Sequence, residues 1–232
     1  MNWSGGKDSA LALWKIQQQQ EYYIEWLQTN INTTFNRVSM HGVRFSLLEA
    51  QAAAINIPLT TIGLPDQPNM GMYELAMATK MEWFIGQGIN HTIFGDIFLE
   101  DLRAYREKAF SKSGIETIFP LWKMDTKLLM REFIDSGFKA VVVCVNDQWL
   151  DKSFCGRQLD EDFLNDLPSN VDPCGENGEY HSFVFDGPLF QYPVKFEMGE
   201  IVYRELKAPA VADMNENSVV QQYGFYFCDL IG

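Results

Sequence analysis

Near the start of the chain, Ser4-Gly5-Gly6-Lys7-Asp8-Ser9 gathers residue types that can hold an anion and a metal ion. The glycine pair lets the backbone take conformations closed to other residues and come close to a ligand. The hydroxyls of Ser4 and Ser9, with the N–H groups of the turn, can point at anionic oxygens. An apolar run, Ala10-Leu11-Ala12-Leu13-Trp14, follows and reads as a helix whose N-terminal partial positive charge faces the same spot. Lys7 adds a full cation. Asp8 adds a carboxylate of the kind that holds Mg2+ together with substrate phosphates. The stretch reads as a phosphate loop, although it lacks the GxxxxGK spacing. A plain glycine turn with a Ser or Asp cap would share its letters.

Two further clusters carry chemistry. Gly95-Asp96 closes a predicted strand and is followed by Glu100, Asp101, Arg103, Arg106 and Glu107. The carboxylates could hold Mg2+, with Asp96 the best placed, and the arginines could grip phosphate or a substrate carboxylate. The same letters also describe an exposed helix with Glu100–Arg103 and Arg103–Glu107 pairs worth only about 0.2–0.5 kcal/mol each. The second cluster is Asp172-Pro173-Cys174-Gly175-Glu176-Asn177-Gly178-Glu179-Tyr180-His181. Asn177-Gly178 signals a tight turn, hence a hairpin. The poor strand on its N-terminal side leaves Glu176, Glu179 and His181 open to surround a ligand instead.

Elements that position these clusters are legible from the pattern of apolar residues. Strands are expected over Tyr22–Gln28, Val38–Val43, Leu59–Leu64, His91–Gly95, Glu116–Leu121 and Lys139–Asn146. Helices are expected over Arg44–Ile55, Met72–Gln87, Glu100–Lys112 and Thr126–Ser136. This alternation implies an α/β fold with a doubly wound parallel sheet, whose ligands bind beyond the carboxyl ends of the strands. Past residue 147 the pattern changes. One helix (Leu159–Leu167) and strands over Tyr180–Phe185, Val194–Val202 and Phe225–Leu230 suggest a smaller α+β part. The expected division is a nucleotide-binding core over residues 1–146 and a substrate-side region over residues 147–232. The strand needed ahead of the phosphate loop is limited to Met1–Trp3, so it is very short or the true start lies upstream.

Composition narrows the class. Hydrophobic residues at 47% and aromatics at 14% indicate a globular chain. No apolar run reaches the roughly 18 residues of a membrane span, and the loop leaves no room for a leader, so a cytoplasmic location is expected. Cys144, Cys155, Cys174 and Cys228 are far apart, as reduced thiols would be. The net charge of −13 is concentrated in residues 151–232, where 15 acidic side chains face 5 basic ones. That balance opposes a nucleic-acid partner.

The phosphate loop resembles the PP-loop, the SGGxDS signature of enzymes that split ATP into AMP and pyrophosphate. Taken in order with the Gly95–Glu107 and Gly175–His181 segments, and with Val38–Arg44 and Pro120-Leu121-Trp122, it resembles the diphthine–ammonia ligase family. The late segment departs from the EGGE form and is similar to that of bacterial relatives, which have no diphthamide to make. The resemblance implies activation of a substrate carboxylate as an acyl-adenylate, then amidation by ammonia. Ser4, Gly5, Gly6, Lys7 and Ser9 would hold pyrophosphate, Asp8 and Asp96 would hold Mg2+, and Met40 and His41 would lie by adenosine. Lys7, Asp8, Asp96 and Glu176 would be catalytic, with Glu100, Arg103, Arg106, Asn177, Glu179 and His181 on the acyl side. The substrate would be a small-molecule or protein-borne carboxylate, and ammonia would be free or delivered by a separate donor. A homodimer is compatible with it. Two other classes stay open: an RNA-modifying PP-loop enzyme, which needs a reactive cysteine and a basic face, and a non-catalytic nucleotide sensor.

Overall fold

Met1–Trp3 is the short strand around which the first half of the fold is built. In the computed structural model, which describes residues 1–38, 42–111, 113–206 and 223–232, Trp3 N donates to Gln28 O (2.7 Å) and Asn2 N to Ile93 O (2.9 Å). The segment thereby joins two parallel pairs. Along the chain follow α1 (Lys7–Gln19), β1 (Leu27–Asn32), β2 (Arg37–Val38), α2 (Phe45–Ile55), β3 (Leu59–Leu64), α3 (Met70–Gly86), β4 (His91–Ile93), α4 (Glu100–Phe110) and β5 (Glu116–Ile118). β1 pairs in parallel with β3, and β4 with β5. Gln28 of β1 meets Thr60 on one side and Asn2 on the other. The parallel order is therefore β3, β1, the N-terminal segment, β4, β5, the expected doubly wound arrangement. β1 begins at Leu27, where its partner Leu59 begins, and not at Tyr22.

The second half holds α5 (Thr126–Asp135), β6 (Lys139–Asn146), a 3-10 turn (Lys152–Phe154), α6 (Glu161–Asp166), β7 (Tyr180–Asp186), β8 (Glu197–Leu206) and β9 (Tyr223–Ile231). α5 is started by Asp125, whose carboxylate accepts from Leu128 N, and it buries Leu129, Met130 and Phe133 on one face. β6 corrects one expectation. It is not the last parallel strand of the core but pairs antiparallel with β7 and β9, in a sheet ordered β7-β6-β9-β8. A division after residue 146 would cut this sheet off from its central strand. The physical reason is that a strand buried on both faces reads as one apolar run in either kind of sheet.

Both halves contribute to one core, from Trp3, Leu13, Leu27 and Leu48 to Phe133, Val143, Phe163, Phe183 and Leu230. A smaller cluster of Phe94, Phe110 and Ile115 lies under α3 and α4 with Met77, Met81 and Phe84. Among the described residues no helix is long and apolar enough to cross a membrane.

Candidate active site

The Ser4–Ser9 loop leaves the end of the N-terminal strand and turns into α1. Gly5 has φ +78, and a Cβ there would lie 2.7 Å from Gln51 Oε1, so only glycine fits. Gly6 caps the helix without a side-chain bond, leaving the first N–H groups of α1 to other partners. Ser4 Oγ accepts from Gly6 N (3.2 Å) and lies 3.2 Å from Ser9 Oγ. Ser9 Oγ donates to Gly6 O (2.8 Å).

The loop is fastened from the C-terminal half. Lys7 N donates to Ser182 Oγ (3.1 Å) and Val184 N to Gly5 O (2.9 Å), both on β7. Gln51, fully buried on α2, accepts from Trp3 Nε1 (2.9 Å) and donates from Nε2 to Gly5 O and Val184 O. This amide ties α2, β7 and the loop together. In the sequence it is one more position on the inner face of a helix, with no motif to distinguish it.

Lys7 is buried and its Nζ reaches Asp8 Oδ2 at 2.8 Å, over the Tyr180 ring. Asp8 keeps 31% of its side-chain surface although protein surrounds it, as befits the floor of a crevice. Burial raises the Asp8 pKa against the pull of Lys7, while Asp8 and Glu176 help hold Lys7 above its ordinary value despite burial.

Gly95 packs against this helix start. A Cβ on it would lie 2.9 Å from Asp8 C and O, so the end of β4 touches the start of α1 backbone to backbone. Asp96 is thereby delivered beside Asp8, and its pKa is raised by burial, with Arg106 opposing and Asp8 adding. Arg106 donates from Nη2 to Asp96 Oδ1 (3.0 Å), and its guanidinium covers the Phe94 ring at 4.2 Å. Its Nε sits 2.7 Å from Asp96 Oδ2, a second ion-pair contact to the same carboxylate.

Glu176 joins the late segment to the same place by accepting from Ile97 N (2.8 Å). Burial and the charge of Asp8 push its pKa up to about 7. His181, next to Ser182, is held neutral: burial, then Lys7, bring its pKa down to about 4. The segment is shaped by Asp172, whose Oδ2 accepts from Cys174 N (3.1 Å) and Glu176 N (3.0 Å). It is a loop with Gly175 at φ +67 and Gly178 at φ +83, and the strand starts only at Tyr180.

Ser4, Gly5, Gly6, Lys7, Asp8, Ser9, Asp96, Arg106 and Glu176 thus come together, with His181 near enough to Lys7 to feel its charge. Other expected residues do not face this crevice. Glu179 is fully buried inside its own loop, accepting from Asp172 N (3.0 Å) and Asn177 Nδ2 (3.0 Å). Arg103 pairs with Glu107 (2.7 Å) and stacks on Trp122 and Phe119, while Glu100 pairs with Lys123 (2.9 Å) at the surface. Met40 and His41 lie outside the described residues.

Residues 1–117 match the model of a diphthamide synthase N-terminal domain and residues 125–214 that of a diphthamide synthase C-terminal domain. The chain belongs to the diphthamide synthase family. The family's domain break falls between β5 and α5, which leaves β6 with the C-terminal sheet, as its pairing does. A human protein named diphthine–ammonia ligase is 30% identical over 142 residues, 59% of this chain and 52% of its own length. A Schizosaccharomyces pombe protein of the same name is 31% identical over 114 residues, 44% of this chain and 19% of its own. The chain thus spans about half the length of the human relative and 19% of the Schizosaccharomyces pombe one. A solved structure described as a predicted subunit of tRNA methyltransferase from Methanocaldococcus jannaschii shares 17% identity, with 81% of this chain and 95% of that one covered. Its TM-score of 0.42 is too low to bear on function.

Proposed function

We propose that this chain is an ATP-dependent carboxylate–amine ligase that releases AMP and pyrophosphate. The observation that carries this reading is the meeting of Lys7-Asp8, Asp96 and Glu176 around one helix start, with Glu176 bonded to the backbone beside Asp96. Family membership and relatives named diphthine–ammonia ligase support it. The loop N–H groups, Ser4, Ser9 and Lys7 hold the phosphates that depart as pyrophosphate. The substrate carboxylate attacks the α-phosphorus, giving an acyl-adenylate, and ammonia then displaces AMP. Arg106, fixed by Asp96 and Phe94, places a guanidinium beside Asp96 and suits a carboxylate. Glu176 accepts the proton of ammonium or of the attacking amine, and neutral His181 borders the same space.

Asp8 and Asp96 are the residues that would hold Mg2+. Among the described residues no three His, Cys, Asp or Glu side chains are gathered tightly enough to hold a metal unaided. The two carboxylates, of which Asp8 keeps 31% of its side-chain surface, fit an ion that takes its other ligands from phosphates and water, as Mg2+ does. Bound there, it would neutralise phosphate charge.

Buried thiols weigh against the RNA-modifying reading. Burial raises the pKa of Cys174 and Cys144, and that of Cys155 to about 12, leaving none poised as a thiolate. Incubation with ATP, ammonium and candidate carboxylates tests the proposal. AMP and pyrophosphate are expected, and Ser4→Ala/Asp8→Ala should abolish binding of a non-hydrolysable ATP analogue. ADP as the main product, or undiminished binding in that variant, would overturn it.

A further inference from the structure

A cavity of about 390 Å3 lies under α3, away from the phosphate loop. It opens among the beginnings of the parallel strands: Trp26 precedes β1, His91 starts β4 and Ile115 precedes β5. The phosphate loop follows the opposite, carboxyl end of the Met1–Trp3 strand. The volume falls within the roughly 300–1,000 Å3 of small-molecule sites. Its walls include the rings of Tyr22, Trp26, Phe84 and Phe110, with Tyr22 meeting His91 edge to face at 5.1 Å. Met77, Met81 and Phe84 reach it from α3, a helix of 17 residues of which none is buried. A helix that lays an apolar stripe on a sheet ordinarily buries it. Here Met77, Met81 and Phe84 pack only part of their surface on the cluster beneath, and space beside them stays open.

Among the described residues, Lys80 is the lysine or arginine that lines this space. Lys80 Nζ donates to Thr60 Oγ1 (2.6 Å) and lies over the rings of Trp83 (4.6 Å) and Phe84 (5.7 Å). Among the described residues no carboxylate is within ion-pair distance of it. Glu21 and Glu25 belong to the exposed rim. Burial lowers the Lys80 pKa, the cost of a charge set among rings without a counter-ion. An anion delivered by a ligand would remove that cost.

We propose that this cavity binds a small planar aromatic carboxylate, its rings between the aromatic walls and its carboxylate on Lys80. Flat walls select a flat body, Met77 and Met81 adapt to its outline, and Lys80 selects a negative charge. The site is independent of the ligase reading.

The test titrates the intact chain at pH 7.5 with 2-naphthoate and with its neutral counterpart, 2-naphthalenemethanol, by calorimetry. Saturable 1:1 binding of the acid is expected, at least tenfold tighter than the alcohol. Lys80→Met should bring the acid down to the level of the alcohol and leave the alcohol unchanged. Met81→Trp, which fills the cavity, should abolish both, and a thermal melt checks that each variant is folded. A saturating ATP analogue should displace neither. Absence of naphthoate binding, equal affinity for acid and alcohol, indifference to Lys80→Met, or displacement by the nucleotide would each overturn the proposal.

Discussion

Glu176 is the side chain whose acidity the fold alters most usefully. With a pKa of about 7 it is half-ionised at neutral pH, the range in which a proton acceptor for ammonium works well. The shift also has a consequence for stability. The folded state binds this proton more tightly than the unfolded chain, whose value is 4.5, so the contribution is full below that value and is lost as pH rises toward 7. Glu176→Gln, which can still accept from Ile97 N, removes the loss. The variant should melt higher than the parent at pH 8 and no higher at pH 4, measured by calorimetry without nucleotide. An equal difference at both pH values would mean that Glu176 titrates as an ordinary carboxylate. The neighbouring letters were harder to read. Glu176 and Glu179 are equivalent in the sequence, yet Glu176 bonds Ile97 N beside Asp96 while Glu179 turns Oε1 to Asp172 N and Asn177. Gln51 was invisible for the converse reason, since a buried amide is defined by the three groups it bonds and these come from distant segments.

Between elements, the contact that makes the site is the touch of β4 on α1. Gly95 allows it, because any Cβ would lie 2.9 Å from the Asp8 carbonyl and 3.1 Å from Ser9 N. Both neighbours are backbone and cannot swing aside. Gly95→Ala must therefore push the strand end, and Asp96 with it, away from the helix start. A loss of ATP-analogue affinity of tenfold or more is expected, about 1.4 kcal/mol. Gly86→Ala is the control: it sits in α3 with nothing within 4 Å of the new methyl, and its affinity should match the parent. Matching affinity in Gly95→Ala as well would sever the Asp96 motif from nucleotide binding. The alternation of strands and helices was sufficient to place Asp96 at a strand end next to a loop. It was insufficient for β6, because Ala140–Val145 is buried throughout and so carries no alternation to show which sheet it joins.

At the scale of the whole molecule, the halves are joined where the chemistry is, through β7 on the phosphate loop, and again at a second seam. There Asp229 on β9 receives Arg37 Nη1 (2.8 Å) and Arg44 Nη2 (2.6 Å), drawing β2 and the start of α2 onto the antiparallel sheet. Hydrogen bonds from Arg44, then Arg37, hold the Asp229 pKa down at about 2. Its folded value lies below its unfolded one. The stabilisation is therefore present above pH 3.8 and is lost as pH falls toward 2. Arg44 is 41% exposed, so solvent screens the pair and the effect is modest. Asp229→Asn should lower stability at pH 7 by about 1 kcal/mol in urea unfolding, and by less in 1 M salt, where the screening length is about 3 Å. The deficit should shrink steadily below pH 4. A deficit that persists undiminished at pH 3 would place its origin in packing.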